Sequence, residues 1–80
     1  MIDVTAQYFA VFREQAGCDD EQIETTAANA GELFGEIALR HGFLDAVARC
    51  KVAVNGEMAG WDTQIRDSDV ILFFPPVAGG

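Results

Sequence analysis

Residues 2–9, Ile-Asp-Val-Thr-Ala-Gln-Tyr-Phe, alternate apolar and polar at first and are rich in β-branched and aromatic side chains. This predicts a strand with one buried face. Residues 13–20, REQAGCDD, hold Gly17 in a polar cluster and read as a loop. Residues 22–26, with Ile23 and two threonines, read as a returning strand, so the chain opens on a β-hairpin. Asn29-Ala30-Gly31-Glu32 is a capping-box-like helix start. Ala30, Leu33, Phe34, Ile37, Ala38 and His41 then repeat at the spacing of one helix face, and Gly42 stands where a left-handed cap is wanted. That helix is about three turns long, and its Leu33 and Ile37 are predicted core residues. Residues 44–49 suit a further short helical turn. Lys51-Val52-Ala53-Val54 reads as a strand, Asn55-Gly56 as a tight turn and residues 57–59 as its short partner. Residues 62–69 form a polar connection. Val70-Ile71-Leu72-Phe73-Phe74 is apolar on both faces, as a central strand is, and Pro75-Pro76 ends it.

One long helix among five strands, with the last strand central, predicts a mixed sheet packed by one main helix. This is an α+β arrangement of the β-grasp type, with the last strand parallel to the first. Eighty residues make one domain, 1–80, of which 75–80 form an extended C-terminal tail. One helix covers one face of a small sheet, so some of Ile71, Leu72, Phe73 and Phe74 should stay near the surface.

Thirteen acids against five bases give a net charge of -8. Nucleic acid and anionic membranes are poor partners for such a surface, whereas a protein with a basic face suits it. Cys18, Cys50 and the single His41 are too few and too scattered for a disulfide scaffold or a metal site. The N-terminus lacks the pattern of a signal peptide, and no apolar run approaches the ~20 residues of a membrane span. A cytoplasmic protein with reduced thiols is expected.

The C-terminus carries the chemistry. A central apolar strand runs into two prolines, two small apolar residues and Gly79-Gly80. The prolines hold the tail extended and lift it off the sheet. The residues beyond Phe74 can span ~20 Å. Two glycines can enter a narrow channel and adopt the backbone angles it imposes. The group so delivered is the terminal carboxylate, a weak electrophile that must first be activated. Adenylation by ATP would do this, after which a sulfur donor could displace AMP. The chain has no phosphate-binding GxxxxGK[ST] loop, so activation must come from another protein.

The run from Val70 to Gly80 resembles the C-terminus of the small subunit of molybdopterin synthase, the MoaD family. Tyr8-Phe9-Ala10-Val11-Phe12-Arg13-Glu14, Val54-Asn55-Gly56-Glu57 and the Asp67-Ser68-Asp69 turn are also similar to that family, although Ser68 stands where glycine is usual. The resemblance spans the whole chain and implies a ubiquitin-like sulfur carrier. It implies that a MoeB-like enzyme adenylates the terminal glycine, using ATP, and that a sulfur relay makes it a thiocarboxylate. The large subunit, MoaE, then uses that sulfur to build the molybdopterin dithiolene on cyclic pyranopterin monophosphate. The resemblance further implies that the catalytic site belongs to the large subunit and that two small and two large subunits form a heterotetramer, the small subunit alone being an expected monomer with no cofactor. Gly80 matches the thiocarboxylate position and Gly79 its neighbour. Phe74, Pro75, Pro76, Val77 and Ala78 match the tail segment that meets the partners. A thiamin-type sulfur carrier and a ubiquitin-like modifier joined to lysines through Gly80 are the alternatives.

Arg13 follows the first strand and should lie beside the tail exit, available to an acidic group on a partner or simply solvated. His41 gains from the helix dipole when protonated. Neither cysteine has a nearby histidine or a basic patch to lower its pKa. Asp19, Asp20, Glu21 and Glu24 read as a solvated edge, and Trp61 as a plug at the core's rim.

Overall fold

The computed structural model describes residues 1–44 and 49–76. Among these residues the elements are β1 (Ile2–Tyr8), α1 (Val11–Ala16), β2 (Asp20–Thr25), α2 (Ala30–His41), β3 (Lys51–Val54), β4 (Glu57–Ala59) and β5 (Val70–Phe74). The strands form one mixed sheet in the order β2-β1-β5-β3-β4. β5 is central, parallel to β1 from Thr5↔Val70 to Tyr8↔Phe73, and antiparallel to β3 from Lys51↔Phe74 to Val54↔Ile71. β1 pairs antiparallel with β2, and β3 with β4. The expected mixed sheet with a central last strand is the one observed.

Alternation decides which side of each strand is buried. Val4, Ala6 and Tyr8 of β1, Val52 of β3, and Ile71 and Phe73 of β5 all point into one core. α2 lays Leu33, Phe34 and Ile37 over them, with Leu33 0% and Ile37 1% exposed. Aromatic rings fill the remaining volume. Phe12 stacks on Phe43 with centroids 4.4 Å apart, and Phe34 lies 5.5 Å from Phe73. The helix ends obey the sequence signals. The Asn29 side chain accepts the Glu32 N–H at 2.8 Å, and the Gly42 N–H donates to the Ala38 carbonyl. Glu32 reaches back one residue further than a capping box requires, accepting the Ala28 N–H at 2.9 Å. Asn55 and Gly56, both at positive φ, make the β3–β4 turn.

Two local expectations are corrected. The stretch 13–20 is not all loop, because α1 occupies Val11–Ala16. Its one buried residue, Phe12, is 0% exposed, while Arg13, Glu14 and Gln15 face solvent. A helix of six residues with one anchor shows too little periodicity to detect in sequence, and the core contact of Phe12 is what holds it. Gly17, at φ 78°, terminates it, its N–H donating to the Arg13 carbonyl. β2 also begins two residues earlier than predicted, because β1 offers partners as far as Gln7↔Asp20. In the helical turn expected over 44–49, residues 45–48 lie outside the described residues.

Candidate docking surface at the tail base

The alternation that buries Ile71 and Phe73 turns Val70, Leu72 and Phe74 to the opposite face of the sheet, which is the face away from α2. Cross-strand register builds a row there. Gln7 faces Leu72, Leu72 faces Ala53, and Ala53 faces Met58. Ala53 is buried yet stands outside the core cluster, as its place on this second face requires. Met58 is 64% exposed and Phe9 54% exposed, so the surface is apolar and open. Patches of this kind on small soluble domains mark interaction sites.

Phe9 belongs to this surface through an unusual backbone step. Its N–H continues the β1–β5 ladder to the Phe73 carbonyl at 3.2 Å, and its ring lies 5.4 Å from that of Phe74. Ala10 then turns the chain out of the sheet into α1 at φ 54°, ψ -124°, a region costly for any residue with a Cβ. Phe9 is thereby kept beside Phe74 while the next residues leave. The sequence reading had not assigned Phe9 or Met58 to the site. The exposure of two large apolar side chains became visible only with strand register.

Of the expected tail residues, Phe74 is half-buried, Pro75 buried and Pro76 half-buried. Pro75 therefore seats the tail base against the body, and the chain does not lift off at the first proline as the sequence suggested. Val77, Ala78, Gly79 and Gly80 lie outside the described residues. Arg13 sits on α1, beyond the end of β1 that flanks β5, and its guanidinium is 3.6 Å from the Asp19 carboxylate. Both partners are more than half exposed, so the pair contributes little stability and is free to exchange.

Beneath this end of the sheet lies a polar clasp. The Tyr8 hydroxyl donates to Glu21 Oε2 at 2.6 Å, His41 Nε2 hydrogen-bonds the same oxygen, and Arg40 Nη1 lies 3.4 Å from Oε1. The acidic run is thus not uniformly a solvated edge. Asp19, Asp20 and Glu24 are exposed, but Glu21 is only 22% exposed. Its register partner is the fully buried Ala6, so it shares the inner face with Ile23 and Thr25. That alternation was readable in the sequence, but the charge run obscured it. His41 serves a carboxylate as well as the helix end.

Burial pushes the Glu21 carboxyl up, but the hydrogen bonds from Tyr8 and His41 and the charges of His41 and Arg40 outweigh it and hold the group below the usual range. Burial, then the bond to Glu21 and its charge, push the Tyr8 phenol far above its ordinary value. A depressed carboxyl stabilises the fold above its unfolded value of about 4.3, and this stabilisation is lost as pH falls through the folded value. A raised phenol stabilises below about 10 and toward alkaline pH that contribution is lost. Glu21→Gln should cost ~1–3 kcal/mol near neutrality and flatten the acid limb of a stability profile. Urea melts across the acid range check this, and an unchanged profile would show the clasp to be idle.

Trp61 plugs the core's rim as expected, 5.3 Å from Phe34 and stacked over Phe73. Cys50 is buried and Cys18 half-buried. Burial and the carboxylates of Glu21, Asp20 and Asp19 raise the Cys18 thiol, which keeps it protonated. Among the described residues no group of three or more His, Cys, Asp and Glu side chains could hold a metal, and no helix is long and apolar enough to cross a membrane.

A mixed sheet with a central parallel last strand, one long helix on one face and an open apolar opposite face is the ubiquitin-like β-grasp architecture. The chain belongs to the ThiS family, whose model matches residues 6–80. It is 34% identical to the molybdopterin synthase sulfur carrier subunit of Mycobacterium tuberculosis, with 100% of both chains covered. Among solved structures it resembles a Pyrococcus furiosus protein described as molybdopterin converting factor, subunit 1. There the TM-score is 0.79 at 38% identity, covering 96% of this chain and 100% of that one. It also resembles a chain in the complex of subunits 1 and 2 of the molybdopterin-converting factor from Helicobacter pylori. That match has a TM-score of 0.67 at 26% identity, covering 99% of this chain and 100% of the other. The likeness inferred from the tail motif is thereby supported over the full length.

Proposed function

We propose that this chain is the sulfur carrier subunit of a molybdopterin synthase, working through a thiocarboxylate at Gly80. The observation that carries the reading is the central strand β5, which runs past an open apolar face into the Pro-Pro-Val-Ala-Gly-Gly tail. The full-length similarity to sulfur carrier subunits supports it, as does similarity to a subunit 1 found complexed with a subunit 2.

On this reading the carboxylate of Gly80 attacks the α-phosphate of ATP on a separate MoeB-like enzyme and pyrophosphate leaves. A sulfur nucleophile then attacks the acyl carbon, and AMP leaves with the electron pair of its C–O bond. The product is a thiocarboxylate whose sulfur goes to cyclic pyranopterin monophosphate in the large subunit. The residues of this chain position and deliver; they hold no cofactor. Gly79 and Gly80 pass through the partner's channel without side chains. Pro75 and Pro76 restrict the tail and lower the cost of ordering it on binding. Phe74, with Phe9, Leu72 and Met58, docks on the partner, and Arg13 exchanges Asp19 for an acidic group across the interface. The carrier is a cytoplasmic monomer when free. It assembles as two small and two large subunits.

The test is the intact mass of the protein after incubation with a MoeB-like enzyme, ATP and a sulfur donor. Exchange of one oxygen for sulfur, mapped to the C-terminal peptide, is expected. An unmodified terminus, or isopeptide adducts on lysines, would overturn the carrier reading, the second outcome in favour of a modifier.

A further inference from the structure

Lys51 is the single lysine of the chain and stands in register opposite Phe74. It is exposed, and alternation with the core residue Val52 places it on the open face, next to Phe74. Of the other bases, Arg13 is paired with Asp19 and Arg40 with Glu21, while Arg49 and Arg66 make no ion pair among the described residues. Lys51 makes no ion pair among the described residues, although the chain carries 13 carboxylates. A lysine on an edge strand commonly serves to repel stray strands. β3 lies between β5 and β4, but the β4 ladder stops at Val52↔Ala59, so Lys51 stands just past its end with Phe74 as its one register partner.

The open face is also electrically polar. Asp3, Asp20 and Glu24, all exposed, share it along its β2 side, where Asp3 faces Glu24 and Asp20 faces Gln7. Apolar residues of β5, β3 and β4 occupy the rest of the face, with Lys51 across the sheet from these acids, on β3 opposite Phe74. A partner turned end for end on this face would meet the wrong sign at each side.

We propose that the large subunit that receives the tail presents an Asp or Glu carboxylate to Lys51, beside the pocket that takes Phe74. This rests on the docking of the tail into a large subunit proposed above. The pair sets orientation: the apolar centre supplies contact in either sense, and the cation beside Phe74 favours one. The tail then enters its channel in the correct direction.

The experiment is calorimetric titration of the same organism's molybdopterin synthase large subunit with the parent chain, Lys51→Met, Lys51→Glu and Phe74→Ala, at low and at high salt. Lys51→Met should weaken binding about fivefold and Lys51→Glu about fiftyfold at low salt, both differences shrinking at high salt. Thermal melts of the Lys51 variants should match the parent, because the side chain is exposed. Replacing the facing carboxylate with lysine should restore the binding of Lys51→Glu. If both Lys51 variants bind within about twofold of the parent while Phe74→Ala binds at least tenfold more weakly, the face docks but no carboxylate meets Lys51, and the proposal is wrong. If Phe74→Ala also binds as the parent does, the docking reading itself is wrong, and this inference goes with it.

Discussion

Deleting Gly80 abolishes sulfur transfer and leaves the stability of the domain within about 0.5 kcal/mol of the parent. The two effects separate because the chain performs them with different residues. Stability comes from the cluster between the sheet and α2, which ends on β5 at Phe73, with Pro75 the last buried residue of the described chain. The reacting group is a carboxylate five residues further on, and the deletion moves it back by one residue, ~3.3–3.6 Å. A misplacement of even ~1 Å can cost a hundredfold in rate, so a full residue is expected to leave no measurable transfer. The variant should still dock, since Phe9, Leu72 and Phe74 are untouched. Thermal unfolding, binding to the large subunit and molybdopterin formation in a reconstituted assay should be measured on one preparation. Activity retained without Gly80 would remove the carrier reading.

Leu33→Ala and Ile37→Ala each leave a large fraction of the protein unfolded. Both side chains are fully buried under α2, at 0% and 1% exposure. Truncating such a residue costs ~2–5 kcal/mol, the lost transfer energy plus the cavity left behind. An 80-residue domain has a total stability of only ~5 kcal/mol or somewhat more. Its neighbours have little freedom to collapse into the gap. Phe34 is held among Phe12, Phe73 and Trp61, and Phe12 is stacked on Phe43. Urea melts give the loss directly. A cost below about 1 kcal/mol for both variants would mean that α2 does not pack as described.

Much of the framework was legible because its signals are local. Asn29 and Gly42 delimit α2 through hydrogen bonds made within a few residues. Asn55-Gly56 makes its turn from its own backbone preferences. The apolar run of β5 places that strand in the middle, because no edge strand of a single small sheet buries alternate residues so fully while keeping the others half-buried. The likeness of the tail to sulfur carriers was equally local, a string of adjacent residues read without any fold.

What escaped the sequence depends on which residues meet across strands. α1 is held by one phenylalanine against a distant ring, a contact that leaves no periodicity behind. Glu21 looks like one acid among several until β1 register sets it under Tyr8 and against His41. Phe9 and Met58 gain meaning only when Phe74 and Ala53 are seen to be their neighbours. The sequence by itself determined the helix, its caps, the turn, the central strand and the motif of the tail, because backbone preference and side-chain alternation act over a few residues. Tertiary structure alone decided the clasp, the seat of Pro75 and the place of Lys51 opposite Phe74 on the open face. Those depend on pairing between segments far apart in the chain, and the same local pattern permits more than one such pairing until the core is packed.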